Sequence, residues 1–202
     1  YSGIWVDKVL FWFDPLTSEA IVGPLRASAI YDIPIFLAYL TIIPGMAVFL
    51  VRIETDFAEQ YDRLYNAIRE GEALDHIYFY KDQMALSVRQ GLVEIFKVQG
   101  VTIILFFLWA PQILELLGIS DVYLPLLYVD VVGVSVQIVL MATLNVFFYL
   151  DRRETVLFVT VFFFVTNVLF TLWTKSLGPV YFGYGFVGAT VVSTLIALIM
   201  LN

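Results

Sequence analysis

Five stretches of this chain stay apolar over the length of a lipid bilayer, and that recurrence limits the fold before any motif is considered. They cover about 31–52, 92–118, 124–150, 156–174 and 180–202, and a spanning helix needs roughly 20 mostly apolar residues. A backbone in hydrocarbon must satisfy its own hydrogen bonds, so such runs fold as helices. Residues 1–13, YSGIWVDKVLFWF, are too short to span alone and read as the C-terminal end of a further span, closed by Asp14-Pro15. The expected fold is an all-α integral membrane protein, a six-helix transmembrane bundle with its first helix incomplete. The start at Tyr1 and the stop at Asn202 within an apolar run read as cut ends, so residues 1–202 are expected to form a single transmembrane lobe, a fragment of something longer.

Composition agrees. With 61% hydrophobic and 14% charged residues, the chain has more apolar surface than a soluble domain of this size can bury, and the excess must face lipid. The net charge of -7 mainly describes the acidic stretch 54–82 and does not point to a basic partner. Nucleic acid is excluded as a partner because no Lys/Arg cluster exceeds the Arg152-Arg153 pair. Without cysteine there is no disulfide, thiolate metal site or cysteine nucleophile. His76 is the only histidine and makes a poor metal site, so neither metal nor cofactor is expected. In GYGFVG, Gly183, Gly185 and Gly188 match a dinucleotide-binding spacing. No strand precedes them in a βαβ unit and no acid follows Glu154, so close helix contact explains them better.

Between the first two full runs lies IETDFAEQYDRLYNAI, whose apolar residues Ile53, Phe57, Leu64 and Ile68 fall on one helix face. Gly71 is a plausible stop, after which Leu74, Ile77, Met84, Val88, Leu92 and Ile95 carry a second helical pattern directly into the next span. Residues 53–91 thus read as an amphipathic helical insert. Its apolar face either docks the bilayer surface or a soluble partner, or belongs to a solvated connecting hairpin. The cations set the orientation. Arg52, Arg63, Arg69, Lys81, Arg89 and Lys97 gather on the insert side with Arg152 and Arg153, against Arg26 and Lys175 opposite. The positive-inside rule makes the insert cytoplasmic.

Polar residues at membrane depth are the candidate functional groups, because a charge there costs roughly 2.5–3.5 kcal/mol and must face protein or water. They are Asp7 and Lys8 in the partial span, Asp32 in the next, Glu94 and Lys97 in the third, and Asp130 in the fourth. Asp7 and Lys8 point about 100° apart and are not expected to form a same-face pair, whereas Glu94 and Lys97 can pair. Asp130, Gly133, Gln137, Met141 and Asn145 share one narrow helix face. That stripe is either a hydrophilic pathway lining or interhelical hydrogen-bonding glue, and Asn167 can join either. Pro44, with Gly45 beside it, interrupts the second run and predicts a kink that acts as a hinge or stays static.

The strings YDIPIFLAYLTIIPGMAVFLVRIETDFAEQYDRLY, YFYKDQMALSVRQGLVEIFKVQG and YLPLLYVDVVGVSVQIVLMATLNVFFYLDRR resemble the C-terminal half of the PelG family, membrane exporters of the Pel exopolysaccharide of bacterial biofilms. That resemblance implies one lobe of a twelve-helix flippase-like or multidrug-exporter-like protein in the bacterial cytoplasmic (inner) membrane. It further implies an amino-sugar polysaccharide substrate, with a cytoplasmic glycosyltransferase and companion Pel membrane proteins as partners. A non-enzymatic transport component is the reading that joins bundle, kink and polar stripe. The alternatives are a membrane scaffold that recruits a cytoplasmic glycosyltransferase, and a membrane-embedded glycosyl- or acyltransferase using the acidic insert.

The charge count yields a direct test of topology. Single cysteines at Asn66 and Thr155 are expected to resist impermeant thiol reagents in intact cells and to react after permeabilisation. Labelling of either in intact cells would reverse the orientation.

Overall fold

The computed structural model describes residues 2–201. The chain starts with the short helix α1 (Ser2–Trp12), then turns through a two-stranded antiparallel hairpin, β1 (Glu19–Val22) and β2 (Leu25–Ala27). The expected all-α fold contains no strands, so this short hairpin departs from it while every other element of the described chain is helical. Gly23 supplies the positive φ of 56° at the tight turn. The hairpin is braced by Arg26, which donates to Ser18 Oγ and to the Trp12 carbonyl.

The second run is broken. It comprises α2 (Ala29–Leu40) and α3 (Ile43–Val51), then a π-helical turn (Arg52–Phe57) and α4 (Ala58–Glu70), with a bend of 43° between α2 and the segment beginning at Ile43. Gly71 closes α4 in the left-handed conformation, φ 71°. The next helix, α5 (Leu74–Leu117), is continuous for 44 residues. At 1.5 Å per residue it is about 66 Å long, roughly twice the ~30 Å hydrocarbon core, so its N-terminal part projects beyond the apolar layer of a spanning bundle. The remaining helices are α6 (Leu124–Tyr149), α7 (Arg153–Leu177) and α8 (Tyr184–Leu201).

Four segments are long and apolar enough to cross a membrane, and the bent pair makes a fifth when taken as one span. The protein is therefore a multi-pass helical membrane protein by length and composition. α1, with 11 residues, does not reach spanning length within the described residues.

α6 is the axis of the bundle. In it 67% of the apolar stretch lies inside the protein, against 17% for α5, which leaves α5 at the periphery. One core layer gathers Phe11, Tyr31, Leu127, Val131 and Phe186 near the hairpin end. A second gathers Ile53, Phe57, Val88, Ile95 and Val146 near the opposite end. At the hairpin end Lys175 Nζ lies 2.6 Å from Asp14 and donates to the Leu10 carbonyl at 2.9 Å. The Lys175 hydrogen bond is the main reason the Asp14 carboxyl is held below its usual range.

Helices α7 and α8 approach closely because Gly185 has no side chain. A Cβ there would sit 2.6 Å from the backbone N and Cα of Thr171, which cannot move aside like a flexible side chain. Gly185→Leu is therefore expected to destabilise the bundle by about 1–3 kcal/mol or more through overpacking. Thermal unfolding in detergent should show this as a lowered midpoint, whereas a larger residue at Gly100, which has open space around its Cβ position, should be tolerated.

Candidate functional site

Of the ionisable groups expected at membrane depth, Asp7, Lys8 and Asp130 converge among α1, α2 and α6. Asp7 and Lys8 are both buried, at 0% and 5% exposure. Contrary to the helical-wheel expectation, they interact. Lys8 Nζ lies 3.4 Å from Asp7 Oδ2 while donating to the Ile4 carbonyl at 2.8 Å. The wheel fixes where Cβ atoms point, but the four-carbon lysine stem folds back one turn and closes the angular gap. Asp7 Oδ2 also accepts from Tyr31 Oη on α2 at 2.6 Å. The ammonium faces the rings of Tyr39 at 5.2 Å, Phe186 at 5.6 Å and Trp5 at 5.8 Å, within cation–π range.

Asp130 enters the same region from α6. It is completely buried, and among the described residues neither carboxyl oxygen has a hydrogen-bond partner. Asp7 and Lys8 are near enough to act on it electrostatically. The backbone is tight around it. A Cβ on Gly183 would come within 2.9 Å of Asp130 Oδ1, and one on Gly133 within 2.7 Å of the Phe186 ring. The cluster thus brings two carboxyl side chains, Asp7 and Asp130, together with one lysine amine. Gln137 continues it one layer further by accepting from Tyr39 Oη at 3.0 Å.

The predicted stripe divides below this layer. Asp130, Gly133 and Gln137 are buried, but Met141 is 37% exposed, and Asn145 belongs to another network. Its amide donates to Glu54 Oε1 at 2.7 Å, across to the π-helical turn, where Tyr149 Oη lies 3.5 Å from Glu54 Oε2. Asp32 and Asn167 do not join the cluster. Asp32 accepts from Trp12 Nε1 and from the Ser28 backbone N–H, both at 2.9 Å, and so fixes the start of α2. Asn167 donates to the Gly3 carbonyl at 2.9 Å and accepts from Thr171 at 3.1 Å, tying α1 to α7. Both have the character of packing glue, worth about 0.6 kcal/mol per bond in membrane bundles.

The break lies at residues 41–42, just before Pro44, which occupies the first turn of α3, where its missing N–H costs least. Gly45 allows the Gln99 side chain against the backbone, since a Cβ would meet Gln99 Oε1 at 2.7 Å. Gln99 Nε2 donates to Ser135 Oγ at 3.0 Å and reaches the Thr41 carbonyl at 3.4 Å. Sequence reasoning passed over Gln99, Ser135, Tyr31 and Tyr39. Gln99 was visible as a lone amide in an apolar run, whereas the two tyrosines are unremarkable until α2 turns them toward α1 and α6.

Two expectations about the insert are corrected. Glu94 pairs with Arg52 and not with Lys97. The guanidinium Nη2 lies 3.1 Å from Glu94 Oε1, while Nη1 lies 2.7 Å from Asp56. The face Ile53, Phe57, Leu64 and Ile68 is also not a free docking surface. Ile53 and Phe57 are fully buried beside Val88, Ile95, Val146 and Tyr149, Leu64 is buried too, and only Ile68 is exposed. The apolar face is covered by the protein's own bundle. His76 is an exposed loop-side residue 3.2 Å from Glu72, and no cluster of metal-ligating side chains occurs among the described residues.

Helices of membrane length around a buried cluster of ionisable side chains define a polytopic integral membrane protein with a polar interior. Within that class the chain belongs to the PelG family, whose model, described as "Putative exopolysaccharide Exporter (EPS-E)", matches residues 1–202. No curated protein and no solved structure matches it.

The charge count makes a prediction about stability. Lys8→Met leaves Asp7 and Asp130 buried without a cation and is expected to cost roughly 3–5 kcal/mol, the penalty for breaking a buried pair. Membrane abundance and thermal stability should fall together. Adding Asp7→Asn should restore part of both, and failure of that rescue would remove the charge pairing from the account.

Proposed function

We propose that this chain forms one lobe of a bacterial inner-membrane exopolysaccharide exporter, and that the polar cluster on α1, α2 and α6 belongs to the route taken by the polymer. The observation that carries this reading is Asp130, a completely buried carboxylate with both oxygens free of hydrogen bonds. Burying such a group costs several kcal/mol, and packing alone gives no return on it. A side chain that binds or guides a hydroxyl-rich or cationic sugar does give a return. Gln137 and Tyr39 extend polar character away from Asp130 on the same side of α6. Membership in an exporter family supports the same conclusion.

In this conformation the cluster is closed, so export requires α1 and α2 to part from α6. The broken second run provides a joint for that movement, with the hinge assigned to residues 41–45 around Pro44 and Gly45. The insert lies on the cytoplasmic side, as the cation distribution indicates. A glycosyltransferase that supplies the polymer, and companion membrane proteins, are the partners this reading calls for.

The transferase alternative has one candidate, a polar pocket of about 220 Å³ between α4 and α5 lined by Asp56, Glu59, Gln60 and Gln90. Both carboxylates there are already engaged, Asp56 by Arg52 at 2.7 Å and Glu59 by Arg63 at 2.5 Å. General acid–base work needs a carboxyl free to exchange its proton with substrate, so these ion pairs favour transport over chemistry at this pocket. A scaffold needs no charged interior, and the unpaired Asp130 favours transport over that alternative as well.

Asp130→Asn tests the proposal. The variant keeps shape and removes the charge, so protein abundance should be preserved or raised while polymer export falls several-fold. Wild-type export from a stable Asp130→Asn protein would remove Asp130 from the route. A joint loss of stability and export would show instead that Asp130 is one half of a structural pair.

A further inference from the structure

At the end of the bundle away from the hairpin, α5 diverges from the ends of α6 and α8 and leaves a groove of about 810 Å³. Its α5 wall carries Val88 and Leu92, and its opposite walls are Val146 and Leu150 on α6 with Leu198 and Leu201 on α8. Phe57, from the π-helical turn, also lines it. The charged residues lining it are Lys81, Arg89 and Asp82, which leave one positive charge in excess. Lys81 and Arg89 are exposed, and among the described residues neither makes a salt bridge or a side-chain hydrogen bond. That sets them apart from Arg52 and Arg63, whose guanidinium groups are spent on Glu94, Asp56 and Glu59.

The order of chemistry along the groove matters more than its size. The charged lining residues, Lys81, Asp82 and Arg89, all lie within about 12 Å of α5, and beyond Arg89 the lining is apolar, formed by Leu92 and the opposite walls. That change falls near the end of the apolar helix α6, where Arg152, in the loop after it, donates to the Met200 carbonyl at 3.2 Å. A groove whose cations lie on the water side and whose apolar walls lie on the hydrocarbon side complements a molecule with an anionic head and acyl tails. Basic pockets between membrane helices bind anionic lipid headgroups on this principle.

We propose that this groove is a binding site for an anionic phospholipid, with its phosphate between Lys81 and Arg89 and its acyl chains against Leu92, Leu150, Leu198 and Leu201. The bound lipid fills the gap between α5 and the α6–α8 pair and holds the projecting part of α5 against the bundle. The site is separate from the Asp130 cluster and does not depend on the export route assigned there.

The experiment compares retention of phosphatidylglycerol and phosphatidylcholine by the intact purified protein, using native mass spectrometry after reconstitution in an equal mixture of the two. Wild type is expected to retain phosphatidylglycerol preferentially, by about fivefold for each cation that engages the headgroup. Lys81→Gln with Arg89→Gln should abolish the preference. Lys97→Gln, an exposed cation on α5 outside the groove, should keep it. Ala85→Trp, which fills the groove without changing charge, should lower retention of both lipids. Equal retention of the two lipids by wild type would overturn the site, as would an unchanged preference in the double variant. A further protein segment seated in the groove would give that first result, equal retention, and so counts against the proposal. Lys81 and Arg89 are exposed and make no structural bond, so their replacement leaves the fold intact, and Ala85→Trp provides a second reading that does not rely on charge.

Discussion

A carbonyl freed inside an apolar bundle has no water to turn to, and much of the lower half of this structure follows from how one such group is handled. The break at residues 41–42 interrupts the helical ladder, and Pro44 contributes no N–H to repair it. Gln99, from the middle of α5, reaches the Thr41 carbonyl and Ser135 on α6, and Gly45 leaves room for it to do so. That single amide links α3, α5 and α6. With α5 held there, Glu94 meets Arg52, and Gly91 accommodates Ile53 and Arg52, whose side-chain atoms would lie 3.0 and 3.1 Å from a Cβ at that position. The π-helical turn then carries Glu54 to Asn145 and Tyr149 on α6. Wide turns of this kind recur at functional sites, and here the turn joins the apolar α3 to the charged α4.

The upper half is organised differently. Asp7 has two partners, Lys8 and Tyr31, and Lys8 has three aromatic rings and a carbonyl besides. Asp130, a short distance away on α6, has none. Where α3, α5 and α6 meet, Gln99 and Asn145 are bonded through their amide nitrogens and leave only their amide oxygens unpaired, whereas at the α1, α2 and α6 interface Asp130 has both carboxyl oxygens unpaired among the described residues. The contrast lies within one chain and one solvent, so the cost of burial is the same in both places. What differs is whether the structure has spent side chains to offset it.

Much of this fold was legible in the sequence because membrane-length apolar runs admit few structures. The continuity of α5 from the insert into its span could be read from the 3.6-residue pattern of Leu74, Ile77, Met84 and Val88. The hairpin was missed because strands of four and three residues carry too little alternation to register. The site was less legible, for reasons that are specific. A helical wheel places Cβ atoms and is blind to the reach of lysine, so the Asp7–Lys8 contact was lost. Amphipathicity shows that Ile53, Phe57 and Leu64 avoid water, but it does not say which apolar partner they choose. The nearest one turned out to be the protein's own second core layer. The stripe below Asp130 was read as continuous because spacing alone cannot show that Asn145 has been claimed by Glu54.

The uneven distribution of satisfied groups also bears on which parts of the bundle can separate. Parting α5 from α3 and α6 would break the Gln99 bonds and the Arg52–Glu94 pair, and would leave several buried polar groups unpaired in an apolar setting. Parting α1 and α2 from α6 would break the Tyr39–Gln137 bond, and the Asn167–Gly3 and Lys175–Leu10 bonds as well unless α7 moves with α1, but Asp7 would keep Lys8 and Tyr31 because those partners travel with it. Asp130 would lose nothing, since it has no bond to break, and would gain hydration as the gap filled with water. Its burial penalty in the closed state is thus released on opening and offsets part of the cost of separating the helices. Neither interface is fully bonded, since Gln99 Oε1 and Asn145 Oδ1 also lack partners among the described residues, but only the Asp130 interface buries an acid with neither oxygen bonded, and that acid is what hydration would relieve if the bundle opened there.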